Sequence, residues 1–267
     1  MATVDEIVLN KFDIGGIDIV GKKFLFVGPP KCGATTLVKD FLHHNQHTFS
    51  TGVVISSDMQ SYGEYMSGIS IYDTYTCGVV NNLIDFQQQH DVNVFYVDES
   101  NCKIEKNTTT QKLFLNPKMT VIVTSNQVLS INSNLRANIN YVCLFYTSKV
   151  TEQQKMFDHY GGIFSTFKEF KKVYTKYAQN YGCIIIDNLS ITKKITDGVF
   201  YYCPQSCQAH KPLKFNLKNI ATIDIPVTQY EVPSIDNTLH VLNECLAYLK
   251  TLERKITNLK KILIEAH

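Results

Sequence analysis

Apolar runs recur along this chain with helix-like stretches between them. Lys23-Phe-Leu-Phe-Val27 opens the series and leads through a glycine-bounded loop into a helix predicted over about Gly33 to His44. Gly52-Val-Val-Ile-Ser56 reads as a short second strand. The segment Cys77 to Gln89 carries Val79, Val80, Leu83, Ile84 and Phe86 at helical spacing and predicts a helix. It runs into Val92-Asn-Val-Phe-Tyr-Val-Asp-Glu99, an apolar strand tipped by two carboxylates. Met119-Thr-Val-Ile-Val-Thr-Ser-Asn126 and Tyr141-Val-Cys-Leu-Phe-Tyr146 are further buried strands. Gly182-Cys-Ile-Ile-Ile-Asp187 is another, after a polar helical stretch from Phe164 to Gln179. Strands alternating with helices predict an α/β fold, a three-layer sandwich around a mostly parallel central sheet. Ligands of such sheets bind beyond the carboxyl ends of the strands, where Gly28, Asp98 and Asn126 are expected to converge.

The pattern changes after residue 200. Between Pro204 and Pro233 the chain is turn-rich, an irregular or short-strand extension. From Asp236 onward Leu239, Leu242, Leu246, Leu249, Leu252, Ile256, Leu259 and Leu263 recur at spacings of three and four, predicting one long C-terminal helix capped by Asp236 or Asn237. That helix either packs on its own domain or docks as a short coiled coil. The expected organisation is therefore a domain over 1–200, the extension over 201–235 and the helix over 236–267.

The loop after the first strand carries the clearest chemistry. Gly28-Pro-Pro-Lys-Cys-Gly-Ala-Thr-Thr36 follows the pattern G-x-x-x-x-G-K-[ST], in which backbone N–H groups and a helix N-terminus hold phosphate oxygens and the lysine reaches the β- and γ-phosphates. Gly28, Gly33 and Thr35 stand at their positions, with Pro29, Pro30, Cys32 and Thr36 completing the loop, but Ala34 occupies the lysine position. Lys31 is the nearby candidate for the missing cation. About 60 residues later, Asp98 and Glu99 fit the carboxylate-tipped strand that accompanies such a loop. Asp98, with Thr35, is expected to hold Mg²⁺, and Glu99 to polarise the attacking water.

Composition narrows the classes. Of 267 residues 44% are hydrophobic, enough for a substantial core. Lysine and arginine number 26 against 24 acids, a formal +2, so any nucleic-acid contact must come from a local patch or from several copies in a ring. The one basic cluster is Lys168, Lys171, Lys172 and Lys176 on a helix, with Lys193 and Lys194 nearby. No run reaches about 18 uninterrupted apolar residues, so no membrane span is expected, and the acids in the first turn argue against a signal peptide. Eight scattered cysteines read as buried thiols of a reducing compartment. Cys203, Cys207 and His210 are the nearest approach to a metal cluster, at an unusual spacing and without a clear fourth ligand. Cys32 reads as a small filler of the loop, although a helix N-terminus lowers thiol pKa and leaves a reactive thiol as the alternative.

The order of loop, Asp98-Glu99 strand, a strand ending Ser125-Asn126-Gln127, and Leu135-Arg-Ala-Asn-Ile139 before Tyr141-Val-Cys-Leu-Phe resembles the genome-packaging ATPases of poxviruses and other large DNA viruses, within the FtsK/HerA superfamily. The resemblance covers roughly residues 20 to 190. It implies an ATPase, with ATP and Mg²⁺ as cofactors, that translocates double-stranded DNA into a capsid as a homo-oligomeric ring. It also implies a capsid or portal-vertex protein as partner, and residence in the host cytoplasm at viral factories, with the virion as a further place. Gln127 or Asn126 takes the γ-phosphate sensor role, and Arg136 that of a finger or sensor.

Ala34 departs from the family pattern and opens a second reading, a nucleotide-binding but catalytically impaired structural or regulatory protein. A small-molecule kinase would share the strand and loop order but needs an arginine-rich lid, and arginine occurs only at 136 and 254. A pure DNA-binding module would have to rest on the lysine cluster alone.

Overall fold

The computed structural model describes residues 6–100, 108–204 and 213–215. The chain divides into two units, Met1–Ile225 and Pro226–His267, and every described residue lies in the first. The helix expected over 236–267 lies outside the described residues, as do Cys207 and His210.

The elements in chain order are β1 (Asn10–Lys11), β2 (Lys23–Val27), α1 (Ala34–His44), β3 (Thr51–Ile55), α2 (Met59–Tyr65), β4 (Met66–Ser67), β5 (Ser70–Tyr72), α3 (Cys77–His90), β6 (Val94–Asp98) and α4 (Thr108–Leu115). Then come β7 (Met119–Ser125), α5 (Ser133–Arg136), β8 (Tyr141–Phe145), α6 (Val150–Tyr160), α7 (Phe167–Tyr177), β9 (Cys183–Asp187), α8 (Ile195–Gly198), β10 (Val199–Tyr202) and β11 (Leu213–Lys214). Among the described residues nine strands form one sheet in the order β1-β10-β9-β8-β2-β7-β6-β3-β5, and β11 pairs with β4 in a small second ladder.

From β8 through β2, β7, β6 and β3 to β5 every pairing is parallel. Such strands are covered on both faces, which is why β2, β3, β6, β7 and β8 are buried at every residue. β9 runs antiparallel to β8, and β10 antiparallel to β9, so the mostly parallel sheet ends in a mixed edge.

Each face has its own apolar layer. On one, Leu37, Val38, Phe41 and Leu42 of α1 pack against Phe24, Phe26, Phe95, Val97 and Phe145. Phe24 and Phe41 meet edge-on with ring centroids 4.8 Å apart, a favoured aromatic geometry. On the other face, α3, α4, α6 and α7 cover Leu25, Val27, Tyr96, Val123 and Leu144. Alternation along β6 therefore aims Phe95 and Val97 toward α1 and Val94 and Tyr96 away from it. No described helix is long and apolar enough to cross a membrane.

Candidate nucleotide-binding site

The loop between β2 and α1 is built by backbone constraints at three positions. Gly28 donates its N–H to Ser125 O at 3.0 Å, tying the loop to the tip of β7. A Cβ on Gly28 would lie 2.6 Å from Phe145 Cβ and 2.7 Å from Cys32 Sγ, so no side chain fits. Gly33, the residue before α1, has φ +105, a conformation glycine adopts at little cost. Lys31, at the crown, is left-handed with φ +64 and exposed, although a side chain makes that region costly by about 1–2 kcal/mol.

A cavity of about 350 Å³ opens over this loop. It is lined by Gly28 through Thr36, by Ser56, Ser57 and Asp58 after β3, by Glu99, by Thr124, Ser125 and Asn126, and by Tyr181. A second cavity, about 500 Å³, shares Gly28, Pro29, Pro30 and Asn126 and continues past Gln127 to Lys149, Glu152 and Lys155. Of the expected convergence of Gly28, Asp98 and Asn126, Gly28 and Asn126 line this cavity together, with Glu99 in place of Asp98 and Gln127 in the adjoining cavity.

Asp98 is elsewhere. The expectation that its carboxylate faces the loop beside Thr35 is corrected by strand parity: Asp98 follows Val94 and Tyr96 to the far face. There it accepts hydrogen bonds from Tyr96 Oη at 3.0 Å, Ser100 N at 2.9 Å and Ser100 Oγ at 2.6 Å. Glu99, on the opposite parity, points to α1. Its carboxylate is 7% exposed and accepts from Ser56 Oγ at 3.3 Å. Burial raises its pKa, and hydrogen bonds from Tyr62, Thr35 and Ser56, with the nearby Lys39 ammonium, oppose the rise without cancelling it. Lys39 itself is buried on α1, its ammonium donating to Ser61 and lying over the Tyr62 ring.

Arg136 does not reach the loop of its own chain. It ends α5, half-buried, and its guanidinium hydrogen-bonds Tyr160, whose phenol burial nevertheless pushes up to about 12. Tyr160 in turn donates to Val128 O at 2.7 Å. Cys32 packs as the filler and not as the alternative reactive thiol. Burial outweighs the backbone N–H groups and pushes its pKa up to about 11, leaving it protonated and unreactive at neutral pH. Cys203 is exposed and donates to Asn180 O. Among the described residues no three His, Cys, Asp or Glu side chains cluster as a metal site.

Among the lining residues that had no signal in the sequence are Asp58, Tyr181, Lys149 and Lys155. Asp58 is the exposed cap of α2, accepting from Ser61 N at 3.2 Å. Lys149 is the N-cap of α6 and Lys155 lies on that helix, where it pairs with Glu152 at 2.8 Å.

A glycine-bounded loop entering α1 and a buried glutamate lining the same cavity as its threonine, on a mostly parallel sheet with β7 between the two strands, define the fold of a P-loop NTPase. No family model matches the chain. Its structural neighbours are viral genome-packaging NTPases. The DNA-packaging ATPase of Sulfolobus Turreted Icosahedral Virus superposes with a TM-score of 0.55 at 12% identity, covering 70% of this chain and all of that one. The genome packaging NTPase of Sulfolobus turreted icosahedral virus 2, in complex with ATP-gammaS, gives 0.53 at 14% identity, covering 70% of this chain and 99% of that one. In sequence the chain is similar to uncharacterized proteins of Frog virus 3 (isolate Goorha), 24% identical over 246 residues, and of Invertebrate iridescent virus 3, 25% identical over 196 residues. These matches cover 86% and 68% of this chain, and 76% and 75% of the viral proteins.

Proposed function

We propose that this chain binds ATP in the cavity over the Gly28–Thr36 loop, hydrolyses it, and uses the energy to move double-stranded DNA during viral genome packaging. The observation that carries the reading is that Thr35 and the buried Glu99 line one cavity over a loop whose backbone is shaped for phosphate. Support comes from the packaging NTPases of the same fold, one of them solved with a nucleotide analogue.

The chemistry assigned to each residue follows from its position. Backbone N–H groups from Gly33 to Thr36, at the start of α1, receive the phosphates. The hydroxyl of Thr35 is a hard oxygen donor that suits Mg²⁺, which would neutralise phosphate charge there. Glu99, with a pKa raised by burial toward the working pH, accepts the proton of the attacking water. Asn126, at the tip of β7, lies between loop and glutamate and is placed to sense the γ-phosphate; Gln127 faces the neighbouring cavity. Lys31 supplies the cation that Ala34 lacks. The DNA partner, the ring of subunits, the capsid or portal partner and residence at host viral factories or in the virion belong to this same reading.

The test is steady-state ATP hydrolysis with and without double-stranded DNA. Wild type should turn over and be stimulated by DNA. Glu99→Gln should retain ATP and lose about 10²–10⁴ of turnover. Unchanged turnover in that variant removes Glu99 from the mechanism. Nucleotide bound without hydrolysis in wild type would instead favour the impaired, regulatory alternative that Ala34 suggests.

A further inference from the structure

Beyond phosphate recognition, and resting on the nucleotide reading above, we infer that Tyr181 is the platform on which the base of the bound nucleotide stacks. Tyr181 sits in the turn between α7 and β9, where Gly182 donates to Gln179 O at 2.9 Å. Both central residues of that turn are left-handed, Asn180 at φ +53 and Tyr181 at φ +62. Asparagine tolerates this region, but for a bulky aromatic it is an outlier. Nothing in the turn requires a phenol, since glycine would serve there without strain. The turn is also closely held. A Cβ on Gly182 would meet Tyr177 O at 2.5 Å, and Cys203 Sγ donates to Asn180 O at 3.7 Å.

The strained backbone keeps the ring in water and beside the phosphate loop. Tyr181 is 69% exposed, yet it lines the cavity over the loop. A Cβ on Gly33 would be 3.4 Å from Tyr181 O and 3.5 Å from Tyr181 Cβ. Sheet order then fixes which end of a nucleotide it meets. Glu99 follows β6, two strands to one side of β2, whereas Tyr181 precedes β9, two strands to the other side. A triphosphate whose γ-end faces Glu99 therefore directs its sugar and base toward Tyr181. Strain of this kind persists where surrounding structure over-determines it, and a ring kept exposed in that way is available for a ligand. Stacking on an aromatic face tolerates any base and gains with ring area, so purines are the favoured class.

Inorganic tripolyphosphate, which has no base, separates this inference from the reading beneath it. In wild type, ATP should bind more tightly than tripolyphosphate. Tyr181→Ala should weaken ATP roughly 5- to 150-fold and leave tripolyphosphate affinity unchanged, while Tyr181→Phe should restore ATP binding. The chain contains no tryptophan, so Tyr181→Trp adds a single indole whose emission ATP should quench and tripolyphosphate should not. Equal affinities of wild type for the two ligands, or a Tyr181→Ala variant that binds ATP like wild type, would overturn the base platform while leaving the phosphate loop intact. If wild type binds neither ligand, the nucleotide reading falls and the platform with it.

Discussion

Lys31 holds a left-handed backbone that glycine would adopt freely, two residues before a glycine that needs its own positive φ. A helix N-terminus supplies only about half a charge, so a triphosphate in this loop still needs a full cation near its γ-end. Lys31→Ala should therefore lose more ATP affinity or turnover than any other single lysine change. Ala34→Lys in the same background should restore it, both read by calorimetry and steady-state hydrolysis. Wild-type behaviour of Lys31→Ala would sink the substitute-cation idea. The loop was legible in the sequence because it is local: two glycines, a threonine and the strand before them are fixed by spacing alone. The division of labour between Asp98 and Glu99 was not. A strand buried on both faces is apolar at every position, so its run carries no alternation from which to read which carboxylate faces α1. Tyr181 was hidden for a related reason, since a left-handed tyrosine leaves no pattern in sequence.

At the scale of elements, the central strands and the helices α1, α3 and α7 lie within a few residues of where periodicity put them. The missed ones are short or weakly patterned. β1, β4 and β11 have two residues each, too few to show a period. α6 buries only Gln153 and Met156, so its apolar stripe is thin. Its absence from the sequence reading is why Lys149 and Lys155 went unseen. The junction of β2 with α1 depends on Gly28 lying against Phe145 of β8. Gly28→Ala forces a Cβ to 2.6 Å from Phe145 Cβ and should cost about 1–3 kcal/mol, lowering Tm by several degrees in calorimetry. Gly162→Ala, where a Cβ meets nothing within 4 Å, is the matched control and should leave Tm within about a degree. Equal Tm for the two variants would show that the junction is slack.

Across the whole described molecule, Arg136 and the phosphate loop stand apart: the guanidinium is engaged with Tyr160 and lines neither cavity over the loop. If Arg136 contributes to phosphoryl transfer, it does so on a neighbouring copy. Arg136→Ala should then reduce turnover by up to about 10³–10⁵ with ATP affinity kept. Mixing Arg136→Ala with Glu99→Gln should recover activity, because one interface in the mixed assembly joins an intact arginine to an intact glutamate. No recovery, together with specific activity independent of protein concentration, would remove Arg136 from that role.

The position of β2 in the sheet has a consequence for how the chain is made. β2 pairs only with β7 and β8, Lys23 opposite Val121 and Phe24 opposite Tyr141. On the ribosome, Phe24-Leu-Phe-Val must wait for roughly a hundred further residues before either partner exists, about 5–20 s at ordinary elongation rates. During that interval one of the most apolar segments of the nascent chain has no sheet to join. Chaperone capture should concentrate there, and a pause in translation before residue 125 would be more damaging to yield than one after residue 145.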